Sequence, residues 1–132
     1  LQRRCRGVYR LGGFDWHDSR DQLMYRSILK QLEAMMAIKP DGFKLSDVPI
    51  ARRINYASYG LFGHTGLLLR KFEAVAREKE LSSFTLDVMK QAYAELAIGK
   101  SADPEIAIPR NPFGSAPLPE TWKPASHDFG DL

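Results

Sequence analysis

Ser58-Tyr59-Gly60-Leu61-Phe62-Gly63-His64-Thr65-Gly66 is the stretch on which the fold hinges. Gly60 stops one helical pattern, because the residue just past a helix end often takes a left-handed conformation that glycine adopts without steric cost. A second pattern starts at once and runs from Phe62 to about Arg77, with Phe62, Leu68, Leu69, Phe72 and Val75 expected inward. Glycines at 60, 63 and 66 allow close backbone approach, either to a ligand or to another helix. The first N–H groups of a helix lack partners within it, so Gly60, Gly63 and His64 are candidates to face an anion such as a nucleotide phosphate. Residue types alone leave both uses open.

Working outward, the spacing predicts three more helices. Asp18 or Ser19 caps the first, Asp21 favours its first turn, and Met24, Ile28, Leu32 and Met35 repeat along it, with Tyr25, Leu29 and Met36 broadening the stripe. Pro40-Asp41-Gly42 is a turn that ends this helix near Ala37. Ser46 is the expected cap of the next helix, with Pro49 in its first turn and Ile50, Ile54 and Ala57 on one face. Thr85 caps the last, where Leu86, Met89, Tyr93 and Leu96 share a face and Gly99 closes it. Val8-Tyr9-Arg10-Leu11 is a candidate short strand, broken by Gly12-Gly13.

After Lys100 the composition changes. Six of the eight prolines lie there, which predicts an extended or polyproline-like arm. The arm nevertheless keeps Phe113, Leu118, Trp122 and Phe129, more bulk than a simple linker needs. It is therefore expected to dock, either on a partner or back on its own helices. Asn111, Pro112, Phe113 and Trp122 are the candidate contact residues. The organisation expected is a core end or connector over 1–14, a helical domain over 15–99 and a Pro-rich arm over 100–132. The fold class is mostly α, a small helical bundle.

Charge and motif content narrow the chemistry. The chain carries a net +3, but from Lys100 onward three basic residues face five acidic ones, so residues 1–99 hold the excess. Arg52 and Arg53 on the second helix, with Arg70 and Lys71 on the third, are candidate contacts to DNA or another phosphate. No G-x-x-x-x-G-K-[ST] loop occurs, and no acidic pair suited to magnesium follows an apolar strand. His17, His64 and His127 stand far apart with no zinc-like spacing, so no metal site is expected. Cys5 is the single cysteine, which excludes an internal disulfide and suits a reducing cytoplasm. No run approaches the roughly 18 apolar residues of a membrane span, and no membrane partner is expected.

Residues 1–99 resemble the C-terminal half of a TniB/TnsC-type transposition ATPase, an AAA+ family of bacterial mobile elements. The resemblance rests on an ordered set: Gln2-Arg3-Arg4 before a short strand, Phe14-Asp15-Trp16, the amphipathic helix ending in Leu32-Glu33, and Ala51-Arg52-Arg53-Ile54. It continues through Ser58-Tyr59-Gly60-Leu61-Phe62-Gly63 to Leu68-Leu69-Arg70, and then Phe84-Thr85-Leu86. The bundle would then be an AAA+ lid. The resemblance implies a parent that binds ATP and magnesium, assembles as a ring or filament on double-stranded DNA, marks the target site, and recruits a transposase and a TniQ-like partner. It implies that Arg4 or Arg3 acts as an arginine finger on a neighbour's ATP. Many AAA+ lids carry a sensor arginine three residues after the helix-opening glycine; here that position is Gly63, followed by His64. Lacking its phosphate loop, the chain alone is expected to hold no nucleotide and to be inactive. Alternatives are the lid of a replication initiator or helicase loader, or a free-standing helical module. In the last case 46–58 and 62–77 would form a DNA-binding helix-turn-helix, or the arm would bind a partner.

Overall fold

The structure is a computed structural model that describes residues 13–96, 111–114 and 117–124. It is mostly helical, with elements in the order α1 (Ser19–Met35), β1 (Lys39–Pro40), α2 (Val48–Ala57), α3 (Phe62–Glu78), β2 (Ser83–Phe84) and α4 (Leu86–Glu95). The small helical bundle expected from periodicity is present. Among the described residues no helix is long and apolar enough to cross a membrane.

Local chemistry explains the helix ends. Asp18 caps α1, its carboxylate accepting from the Asp21 N–H at 2.9 Å. The helix stops at Met35, two residues before the expected end at Ala37. The Lys39 ammonium folds back to donate to the carbonyls of Glu33, Ala34 and Met36, where a cation also suits the helix dipole. Glu73 of α3 accepts from the N–H groups of Ala37 and Ile38 at 2.6 and 3.1 Å. The chain thus leaves the helix early because two charged side chains satisfy its loose backbone groups.

The expected cap of α2 is displaced by one residue. Asp47, rather than Ser46, occupies that position, and its carboxylate turns back to the Lys44 N–H at 3.0 Å instead of forward. Ser46 contributes its carbonyl to Arg26 Nε. Thr85 stands at the cap position of α4 as expected, without a side-chain hydrogen bond into the helix. The turn read at 40–42 is partly a strand: Lys39–Pro40 pairs in parallel with Ser83–Phe84, and the Asp41 N–H continues the pairing to the Phe84 carbonyl at 2.8 Å. Two-residue strands carry too little pattern to be read from sequence.

The core lies between α1, α2, α3 and α4, centred on Tyr25, Leu29, Ile54, Leu68, Phe72, Val75, Phe84 and Met89. The predicted stripe of α1 is rotated: Tyr25 and Leu29 are buried, whereas Met35 is 80% exposed. Phe62, expected inward, is exposed at the first position of α3, and its place in the interior is taken by Thr65. Leu86 is likewise exposed, and Val88 and Ala92 join Met89 and Tyr93 in the core. Gly13 and Phe14, assigned by sequence to a preceding segment, pack into this unit; Phe14 is 1% exposed.

Candidate functional site

The glycine turn is built around a close backbone contact. Tyr59 and Gly60 both have positive φ, 58° and 74°, which reverses the chain between α2 and α3. The Gly60 N–H donates to the Asn55 carbonyl at 2.9 Å, and its carbonyl accepts from the Phe14 N–H at 2.8 Å. A Cβ on Gly60 would meet the Phe14 carbonyl oxygen at 2.5 Å, and one on Gly13 would meet the Tyr59 oxygen at the same distance. The approach that these glycines allow is therefore to the incoming chain at residues 13–14. Gly63 is exposed in the first turn of α3, and the His64 ring lies 6.3 Å from that of Tyr59. Leu61, at the cap position, offers no side-chain bond into the helix.

Beneath the turn lies a buried hydroxyl trio. Tyr25 Oη is 2.7 Å from Thr65 Oγ1 and 3.2 Å from Ser58 Oγ. Ser58 donates to the Ile54 carbonyl at 2.8 Å, and Thr65 to the Leu61 carbonyl at 2.8 Å. Thr65 Oγ1 also lies 3.0 Å from Ser58 Oγ, so the three hydroxyls and the two carbonyls form one network in which each proton has an acceptor. Burial raises the Tyr25 phenol to about 12, against the lowering effect of the two hydroxyl contacts. A phenol held neutral in this way ties three helices together; it is not a base.

The second assembly is the arm seat. Asn111 Oδ1 accepts from the Phe113 N–H at 3.0 Å, and Asn111 Nδ2 donates to the Lys90 carbonyl at 2.8 Å. This places the Phe113 ring in the core, 5.7 Å from Phe72 and 6.1 Å from Tyr93. Further along, Trp122 packs edge-on to His17 and Tyr56, with ring centroids 4.8 and 5.2 Å away, and under the Arg52 guanidinium at 5.0 Å. Its indole N–H donates to Asn55 Oδ1 at 3.0 Å, while Asn55 Nδ2 donates to the Phe14 carbonyl at 3.1 Å. Of the two destinations expected for the arm, its described residues take the second and lie on their own helices. No family model matches the chain, and neither does any curated protein or solved structure.

The candidate phosphate contacts separate into different surroundings. Arg52 donates to the Pro119 carbonyl at 3.0 Å, and Arg53 to those of Pro112 and Gly114 at 2.7 and 3.3 Å, so both hold the arm. Lys71 pairs with Glu95 of α4 at 3.0 Å. The Glu95 carboxyl is lowered from its ordinary range, first by the Gln91 hydrogen bond and then by that of Lys71. Arg70 is exposed and borders a shallow groove of about 150 Å³ between α1 and α3, which also includes Leu32, Met35 and Gly66. Arg3 and Arg4 lie outside the described residues. Among the described residues no group of three or more His, Cys, Asp or Glu side chains is placed to hold a metal ion.

Sequence reasoning missed Asn55, a buried amide inside an apolar stripe, because its value depends on two segments far away in the chain. The hydroxyl trio had a faint signal: Ser58 and Thr65 sit seven residues apart, flanking the turn, at positions where a purely apolar core would place aliphatics. Lys90 had none.

Proposed function

We propose that this chain is the lid and C-terminal arm of an AAA+ ATPase that regulates DNA transposition, marking target DNA and recruiting the transposase. The observation that carries the reading is the helical unit entered at its glycine turn. The chain arrives at Gly13–Phe14, bonds to Gly60, and proceeds through four helices, the layout that the TniB/TnsC resemblance implies for a lid attached to a preceding core. The start of α3, with exposed Gly63 and half-buried His64, is the part of this unit that would face a nucleotide held by that core. The close contact at Gly60 supports a packing role there, and the missing sensor arginine agrees with it.

The assembly on DNA, the transposase and TniQ-like partners, the ATP and magnesium of the parent, and a cytoplasmic setting all belong to this proposal. The helix-turn-helix alternative has less support, since the exposed residues of α3 begin Phe62, Gly63 and Leu67 rather than a polar reading surface.

Two measurements test the proposal. Calorimetry on the 132-residue chain should detect no micromolar ATP binding; a micromolar site here would overturn it. In a parent bearing a phosphate loop, replacing the loop lysine should abolish ATP-dependent assembly on DNA, and unchanged assembly would count against the reading.

A further inference from the structure

The end of the arm lies on the incoming chain as well as on the helices. Gly13 is buried and packed by both the Tyr59–Gly60 turn and Pro124: a Cβ there would stand 2.5 Å from the Tyr59 oxygen and 2.9 Å from the Pro124 Cβ. Two residues before Pro124, the Trp122 N–H donates to His17 Nε2 at 3.2 Å, and the two rings meet edge to face at 4.8 Å. Phe14 is tied to the same tryptophan through Asn55. That side chain, fully buried, donates from Nδ2 to the Phe14 carbonyl at 3.1 Å and accepts the Trp122 indole N–H on Oδ1 at 3.0 Å. A carbonyl needs a donor and an indole N–H needs an acceptor, and a carboxamide presents one of each on a rigid plane. Turning the amide to favour one bond degrades the other, and a partner lost from a buried group is not replaced by bulk water. Phe14 is held from its other side of the peptide by Gly60, whose carbonyl accepts the Phe14 N–H at 2.8 Å.

We propose that residues 122–124 are a strap over the incoming chain, so that docking of the arm end and seating of Phe14 against Gly60 are one coupled equilibrium with Asn55 as its joint. Taking Trp122 from its place leaves the Asn55 oxygen without the indole, frees His17 and uncovers Gly13. The Phe14–Gly60 contact then stands with less support. Coupling of this kind is reciprocal, so turning the incoming chain at Gly13 loosens the arm end by the same factor. The strap is the weaker side. Trp122 is half-buried, and its neighbours Thr121 and Lys123 are exposed, whereas Phe14 is 1% exposed. Whatever engages Trp122 is therefore felt at Phe14 before any helix changes. The coupling needs no nucleotide and no nucleic acid, so it stands or falls apart from the transposition reading.

Native-state hydrogen exchange on the 132-residue chain reads the coupling. The Phe14 amide reports on the contact with Gly60, and the Phe72 amide, in the middle of α3, reports on global opening. Trp122→Ala should speed exchange at Phe14 by about tenfold relative to Phe72, a coupling of ordinary size between two sites. Equal factors at the two amides would mean that Trp122 acts only through overall stability, and would overturn the strap. The reverse direction is read by fluorine NMR on the chain carrying 5-fluorotryptophan. Gly13→Ala drives a Cβ against the Tyr59 oxygen and Pro124, and should move the Trp122 resonance, assigned by its absence in Trp122→Phe, toward its position in urea. A Trp122 resonance that stays in place in a folded Gly13→Ala chain would equally refute the coupling. If Gly13→Ala does not fold, exchange in Trp122→Ala decides alone.

Discussion

The seam beneath the glycine turn and the seat of the arm are both places where distant segments meet, yet they are joined by different chemistry. In the seam, Tyr25, Ser58 and Thr65 are fully buried and give their protons to one another or to helix carbonyls, and Gly60 brings two backbones into contact. In the seat, Phe113 reaches the core, whereas Trp122 and the Arg52 bond to the Pro119 carbonyl lie nearer the surface. A buried network is costly to break because each orphaned group stays out of water. A surface contact comes apart more easily because water replaces what is lost. The same chain therefore carries a buried joint and a more exposed one, and α2 contributes to both.

The largest effect that would break this contrast belongs to Gly60. Gly60→Ala forces a Cβ against the Phe14 carbonyl at positive φ, and should cost at least about 3 kcal/mol in urea unfolding. Gly42→Ala has a similar φ of 83° and nothing within 4 Å, so it should cost only the left-handed penalty, about 1–2 kcal/mol. Equal losses at the two sites would remove the close approach from the explanation. Next comes the hydroxyl trio: Thr65→Val leaves Tyr25 only its longer contact to Ser58, for an expected loss of about 1–2 kcal/mol. Combined with Tyr25→Phe, the two losses should fall short of their sum; strict additivity would show that the network is not cooperative.

Alkali offers a third probe. The folded-state value of Tyr25, about 12, lies above the ordinary phenol value of 10.0. Its contribution is therefore complete below pH 10 and is lost as pH rises through the folded value. That corresponds to roughly 2–3 kcal/mol of stability declining between about pH 10 and 12. Tyr25→Phe should flatten this part of the stability profile, and an unaltered slope would reassign it to other tyrosines. The smallest effect is expected at the seat, where Trp122→Ala should lower global stability by about 1 kcal/mol or less while changing the near-ultraviolet signal of the arm. A loss as large as that at Gly60 would make the arm part of the core throughout its length.

Periodicity made the four helices legible because each buries a repeated apolar face, and the Gly60 reversal was legible because left-handed backbone favours glycine. The exact facing was less so. Met35 and Phe62 read as core from spacing alone, but helix ends that are turned early, by Lys39 or by Thr65 facing Tyr25, rotate such residues into water. The arm was legible as extended and aromatic. That its Asn111 would fold the Phe113 backbone into a turn, and that Arg52 and Arg53 would serve it, depends on contacts between residues some sixty positions apart. No local pattern encodes such pairings. For the same reason basic residues chosen by charge alone divided into arm holders, one ion-paired lysine and one exposed arginine.

Asn55 holds the Phe14 carbonyl with one atom of its amide and the Trp122 indole with the other. The described chain thus enters and leaves at one corner of the bundle. In mechanical terms, tension applied between those two points would fall on the few contacts of that corner, with Asn55 joining both ends directly. The contact between Phe14 and Gly60 would share that load with the bonds of Trp122, because Phe14 is tied to Gly60 as well as to Asn55.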